Sequence, residues 1–172
     1  MDEDIILIET VLGGGQAAFT QLVEKYQNAV YQLAYRMLGS TAEAADAAQE
    51  GFIRAYTHLD RYDRKRSFKT WLLSITANHC IDCIRQNRKL VGSLDDADET
   101  DLAWQDSNPS PEQSALWHEQ QDQVQRSLAQ LHPQDRMVVI LRYWHDCSYE
   151  EIASSTDSTV SSVKSRLYRA RL

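Results

Sequence analysis

Residues 93–110, SLDDADETDLAWQDSNPS, break this chain in two. On either side apolar residues return at the three-to-four spacing of a helix face; inside the stretch no period survives, and turn formers close it. An acidic, polar run of this kind has too little apolar surface to bury for any one conformation to win, so it reads as a flexible acidic linker. What remains is an all-α chain of two small helical domains on a tether, residues 1–92 and residues 111–172.

Charge follows the same partition. Of the formal net charge of −7, residues 1–92 contribute nothing, with 11 basic and 11 acidic side chains. Residues 93–124 carry 9 acidic side chains and no Lys or Arg, whereas residues 125–172 carry 7 basic against 5 acidic. The acidity sits in one short segment, so the overall charge does not argue against a nucleic-acid partner. The start, MDEDIILIET, is acidic where an export signal would be basic, and the longest apolar runs are IILI and MVVIL. A cytoplasmic protein without membrane insertion is expected. Its three cysteines, an odd number, are expected to be free thiols.

Local signals place the helices. From Phe19, apolar residues recur at Leu22, Val23, Tyr26, Val30, Leu33, Ala34, Met37 and Leu38. Gly39 then supplies a stop, and Ser40 with Glu43 supplies a capping box for a second helix over 41 to about 59. The charged loop DRYDRKRS follows, and Ser67 caps a third helix over 68 to about 88. Beyond the tether, Trp117, Val124, Leu128 and Leu131 form a stripe expected to be buried, and MVVILRYW precedes two short helices separated by STDST.

Those last two helices have the shape of a helix-turn-helix. Ser148 and Glu151 form a capping box for the first, and the second begins near Thr159. Val160, Val163, Leu167 and Ala170 share one face of it, while Lys164, Ser165, Tyr168, Arg169 and Arg171 fall largely on the other. Burial along one side with cations and hydroxyls along the other is what insertion into a DNA major groove requires. A merely solvated charged face is the alternative; the capped preceding helix and the turn length favour DNA.

The stretch ITANHCIDCIRQNRK contains His79, Cys80 and Cys83 in a C-x-x-C spacing and invites a metal or redox reading. A redox C-x-x-C sits at a helix N-terminus, where the macrodipole lowers the thiol pKa; this one lies late in a long helix. A zinc site needs four ligands, and on a helix His79 points about 100° away from Cys80. Cys80 instead joins Leu73, Ala77, Ile81 and Ile84 on an apolar stripe. No metal site is expected. Nor does the chain show a carboxylate pair, a nucleophile with its base, or a phosphate-cradling glycine loop, so neither catalysis nor a cofactor is expected.

Four segments together resemble the extracytoplasmic-function group of bacterial sigma factors. AADAAQEGFIRAY is similar to that family's D-x-x-Q-E-x-F segment through Asp46, Gln49, Glu50 and Phe52. FKTWLLSITANHCID is similar to its F-x-T-W-L…N-x-x-x-D segment through Phe68, Thr70, Trp71, Leu72, Asn78 and Asp82. LRYWHDCSYEEIA and SVKSRLYRAR resemble its paired promoter-reading helices. The resemblance implies a sigma region 2 in residues 1–92 and a sigma region 4 in residues 111–172. It implies binding to bacterial core RNA polymerase, recognition of −10 and −35 promoter elements, help in opening the DNA, and an anti-sigma partner.

Roles carry over by position. Asp46, Gln49, Glu50, Phe52 and Ile53 match polymerase-binding positions; Arg54, Tyr62, Ser67, Ser74 and Asn78 match the surface for the −10 element. Ser162, Lys164, Ser165, Tyr168 and Arg169 match the surface for the −35 element. Melted DNA needs aromatic pockets and cations, and Tyr56, Tyr62, Phe68 and Trp71 interleave with Arg61, Arg64, Lys65, Arg66 and Lys69. The alternative for these aromatics is the core, which is the expected place of Phe68 and Trp71, at i and i+3 beside Leu72 and Ile75. The acidic linker has two readings, a mimic of nucleic acid in the polymerase channel or a solubilising spacer. The chain departs from the family pattern at Gly15 and at Ser161. Gly51, inside a helix, costs about 1 kcal/mol relative to alanine. A stand-alone helix-turn-helix regulator is the rival from another class, although residues 1–92 resemble neither a dimer interface nor an effector domain.

Overall fold

The computed structural model describes residues 2–92 and 113–172. Among these residues there are eight α-helices, one 3-10 turn and no strand. The linker reading lies outside the described residues.

The N-terminal half contains α1 (Glu3–Leu12), α2 (Gln16–Leu38), α3 (Thr41–Thr57), a 3-10 turn (Leu59–Arg61) and α4 (Phe68–Gly92). Helix α1 has no counterpart in the sequence reading. Only ten residues long, it is too short to establish a period, and its stability comes from capping and tertiary contact. Asp2 caps it at the Asp4 amide. Buried Asp4 accepts hydrogen bonds from Lys25 Nζ at 2.6 Å and from the Tyr26 hydroxyl, which pins α1 to α2.

The chain leaves α2 through Gly39 in the left-handed region at φ 77°, a conformation a side chain would oppose. Ser40 then caps α3 at the Glu43 amide. Gly51, an intrinsic liability in a helix, is explained by packing. A Cβ there would stand 2.2 Å from Thr76 Oγ1, so glycine is what lets α3 and α4 approach each other.

The C-terminal half contains α5 (Gln113–Gln130), α6 (Pro133–Tyr143), α7 (Tyr149–Ser155) and α8 (Val160–Arg171). On α5 the expected buried stripe holds at Leu128 and, half-buried, at Leu131. It fails at Trp117 and Val124, which are 63% and 43% exposed. The helix period predicted which residues share a face but not how far along the helix a neighbour extends.

The halves are docked. Buried side chains of both belong to one continuous apolar cluster, and α5, α6 and α7 pack on α2 and α4. None of the described helices is long and apolar enough to cross a membrane.

Candidate functional site

Three surfaces gather the residues singled out by sequence. The first is a groove of about 850 Å³ between α2 and α3, lined by apolar and uncharged side chains. Gln49, Phe52 and Ile53 line it from α3 and Phe19, Val23 and Tyr31 from α2. The rings of Phe52 and Tyr56 meet Phe19 edge-on, with centroids 6.5 and 4.9 Å away. Ile53, on the edge of the groove, is 51% exposed. Asp46 and Glu50 are on the same helix but do not line the groove. Glu50 pairs with Arg54 Nε at 2.8 Å, and that hydrogen bond holds its carboxyl below the ordinary range. The α2 half of this groove was not singled out by sequence, because Phe19 and Val23 read as core; their exposed neighbours Gln16 and Gln27 on the same side were the available signal.

The second surface is the α3–α4 connection with the adjoining face of α4. Tyr62 is buried, its hydroxyl donating to the Arg66 carbonyl and its ring packed against Phe68 and Trp71 at 5.5 and 5.0 Å. Burial, with Asp2, Asp4 and Asp63 nearby, pushes its phenol up to about 12, so it stays neutral. Ser67 Oγ accepts from the Thr70 amide and caps α4. Arg64 reaches Glu9 of α1 at 2.6 Å, which ties the loop to α1, and within the loop Asp63 accepts from the Lys65 amide. Ser74 is buried and donates to the Trp71 carbonyl, while Asn78 is exposed. Of the five residues assigned to the −10 element, Asn78 alone is exposed; Arg54 and Ser67 are half-buried, Tyr62 and Ser74 buried.

The cysteines lie on the same helix. Cys80 is fully buried, which pushes its thiol up to about 12. His79 Nε2 and Cys83 Sγ meet at 3.5 Å, one turn apart and away from Cys80. No cluster of three metal-ligating side chains occurs among the described residues.

The third surface is α8. Thr159 is its N-cap, accepting from the Ser162 amide at 3.1 Å, so the capping role falls to Thr159 and leaves Ser161 exposed. Val163 and Leu167 are buried, whereas Lys164, Ser165, Tyr168 and Arg169 are exposed on the outer face. Asp135 of α6, missed by sequence reasoning, accepts from Arg166 at 2.9 Å and Arg169 at 3.1 Å. Burial raises the Asp135 carboxyl, but the two arginines outweigh it and hold it below its ordinary value. The predicted capping box is present on α7, with Glu151 N to Ser148 Oγ at 3.1 Å and Ser148 N to Glu151 Oε2 at 2.7 Å.

Comparison with known proteins follows this division. Residues 22–90 match Sigma-70 region 2, and residues 121–172 match Sigma-70, region 4. The chain is 36% identical over 169 residues to the ECF RNA polymerase sigma factor SigW of Bacillus subtilis, covering 95% of this chain and 90% of that one. It is 37% identical over 175 residues to the ECF RNA polymerase sigma-E factor of Escherichia coli K12, covering 98% and 90%. The solved structure of CnrH in complex with the cytosolic domain of CnrY superposes with a TM-score of 0.72 at 26% identity, covering 99% of this chain and 93% of that one. RpoE of Bartonella quintana, solved with the anti-sigma factor NepR, shares the fold at a TM-score of 0.69 and 22% identity over 89% of this chain and 91% of its own. The chain therefore belongs to the extracytoplasmic-function group of bacterial RNA polymerase sigma factors, promoter-recognition factors for transcription initiation that are not enzymes.

Proposed function

We propose that the α2–α3 groove is the dock for core RNA polymerase, with Gln49, Phe52 and Ile53 in contact and Asp46 and Glu50 placing charge beside it. The observation that carries this reading is an open apolar groove flanked by acidic side chains on a helix that bears the family's motif. An apolar bed with a polar rim suits a helical partner surface. Residues 1–92 act as region 2, with Arg54, Tyr62, Ser67, Ser74 and Asn78 serving the −10 element. Residues 111–172 act as region 4, with Ser162, Lys164, Ser165, Tyr168 and Arg169 serving the −35 element. Two weak readers on one chain gain avidity without further contacts. Action in the cytoplasm, beside the chromosome, goes with this role.

An anti-sigma protein is the natural opponent. The relative CnrH is held by the cytosolic domain of CnrY, and a partner of this kind on the present chain would compete with polymerase.

The test is transcription by core bacterial polymerase on a genomic fragment library, with start sites sequenced. Specific starts sharing two spaced elements are expected, and Gln49→Ala or Asn78→Ala should abolish most of them. DNA binding by the protein alone, without specific starts, would point to the stand-alone regulator instead.

A further inference from the structure

Helix α8 carries four cations, and each is held by a side chain from another helix. Lys164 Nζ stands 5.7 Å from the centre of the Tyr149 ring, at the start of α7, and Arg171 donates to the Tyr143 hydroxyl of α6 at 2.7 Å. Arg166 and Arg169, one turn apart, both donate to Oδ1 of Asp135. Tyr149 and Tyr143 hold their cations by a ring face and a hydroxyl. Asp135 brings a charge.

That carboxylate is built to stay in place. It lies in the first turn of α6, where the helix dipole favours an acidic group, and its side chain is 12% exposed. Arg166, half-buried, lines the cleft toward Asn78 and Asp82 of α4 and fixes the carboxylate from that side. Arg169 differs, because its side chain is 56% exposed and lines the outer hollow of α8 with Ser161, Lys164, Ser165 and Tyr168. Its Nη2 is tied to Asp135, and the rest of the guanidinium is left open to a ligand.

For a helix lying on DNA the tie matters in two ways. A free arginine satisfies itself on any nearby phosphate, and phosphate contacts carry no sequence information. A guanidinium with one edge fixed offers its other N–H groups at one place, so its ordering is complete before DNA arrives. The carboxylate also offsets one cation locally, which weakens the pull of an arbitrary phosphate backbone. Both effects favour the matched sequence over all others.

We infer that Asp135 is a positioning residue for −35 recognition: by holding Arg169 it sets the selectivity of α8 for its element and suppresses binding to unrelated DNA. The inference rests on the assignment of α8 to the −35 element, and the experiment separates the two.

Holoenzyme is assembled from core bacterial polymerase and the full chain, and its affinity is measured for two duplexes at several salt concentrations. One is a promoter fragment recovered by start-site sequencing; the other is that fragment with its −35 element replaced. In Asp135→Asn the ratio of the two affinities is expected to fall about fivefold or more, chiefly through tighter binding to the replaced fragment. Releasing one arginine to phosphate should also steepen the salt dependence there, by about 0.9 in the log–log slope. Arg169→Lys, at an exposed position where folding is not at stake, keeps the charge and removes the planar fork, and it should lose selectivity as well. Adding Asp135→Asn to Arg169→Ala should change the ratio no further, whereas a general loosening of α6 against α8 would lower it again. An Asp135→Asn or Arg169→Lys holoenzyme as selective as wild type would overturn the inference. So would an undiminished effect of Asp135→Asn in the Arg169→Ala background. If wild type discriminates and Asp135→Asn does so equally, the −35 assignment stands and the positioning role alone falls. A wild type that does not discriminate at all removes the assignment and the inference together.

Discussion

Replacing Gly51 by alanine sets two effects against each other at one atom. In an exposed helix the change would gain about 1 kcal/mol from the lower backbone entropy of the unfolded chain. Here the new Cβ would stand 2.2 Å from Thr76 Oγ1, 3.1 Å from its Cβ and 3.2 Å from its Cγ2. Thr76 has little room to yield, since it is fully buried and its hydroxyl donates to the Leu72 carbonyl at 3.0 Å. Overpacking of this kind costs about 1–3 kcal/mol and here reaches the upper end, because three atoms of one β-branched side chain are too close. The net expectation is a loss of about 2 kcal/mol, or about 4–8 °C in melting temperature for a chain of this size. Thr76→Ala removes Oγ1 and Cγ2 and should make room for the methyl introduced at position 51. The double variant should therefore lie within about 1 kcal/mol of wild type, and the cycle should show coupling of about 2 kcal/mol. Urea denaturation followed by circular dichroism measures all four proteins. Stabilisation by Gly51→Ala, or simple additivity with Thr76→Ala, would refute the close-approach argument. Polymerase affinity should follow the same order, because α3 carries the groove residues.

His145 makes the fold sensitive to acid. It is 7% exposed, its Nε2 has no hydrogen-bond partner, and burial, with Lys69 and Arg36 adding to it against Asp146, lowers its pKa to about 4. The unfolded chain takes up that proton near pH 6.5, so this contribution is complete above about 6.5 and declines as pH falls toward about 4. Between about pH 7.5 and 5 the loss is about 2 kcal/mol, and thermal melts of His145→Gln should lack it; identical pH profiles would count against the assignment. Ser148→Ala removes one half of the α7 capping box and should cost about 1 kcal/mol in denaturation experiments. The variant should weaken binding to a −35 duplex while leaving polymerase affinity unchanged.

The helices that sequence resolved are those whose own residues state their ends. Ser40, Ser67 and Ser148 announce N-termini through a hydroxyl at the right distance from an amide, and Gly39 announces a C-terminus through its backbone freedom. Such signals are local, so they survive in one dimension. Helix α1 escaped because its evidence is the buried link from Asp4 to Lys25 and Tyr26, about twenty positions away. Trp117 and Val124 misled for the related reason that a stripe is buried only where another element reaches it.

The surfaces divide along the same line. The outer face of α8 was readable, since alternation of Val163 and Leu167 with Lys164, Tyr168 and Arg169 is a property of one helix. The groove needed two helices, and its Phe19 and Val23 wall was invisible from α3 alone. Family membership, the all-helical class and the positions of the motifs were thus determined by sequence alone, because periodicity, caps and motif spacing involve neighbours along the chain. Only the tertiary structure decided that Gly51 is a packing requirement, that Asp135 holds two arginines of α8, and that Gln125 and Arg136 cap a helix about ninety residues away. Each depends on atoms that become neighbours only once the chain has folded, and no local pattern encodes which distant carbonyl a buried donor will meet.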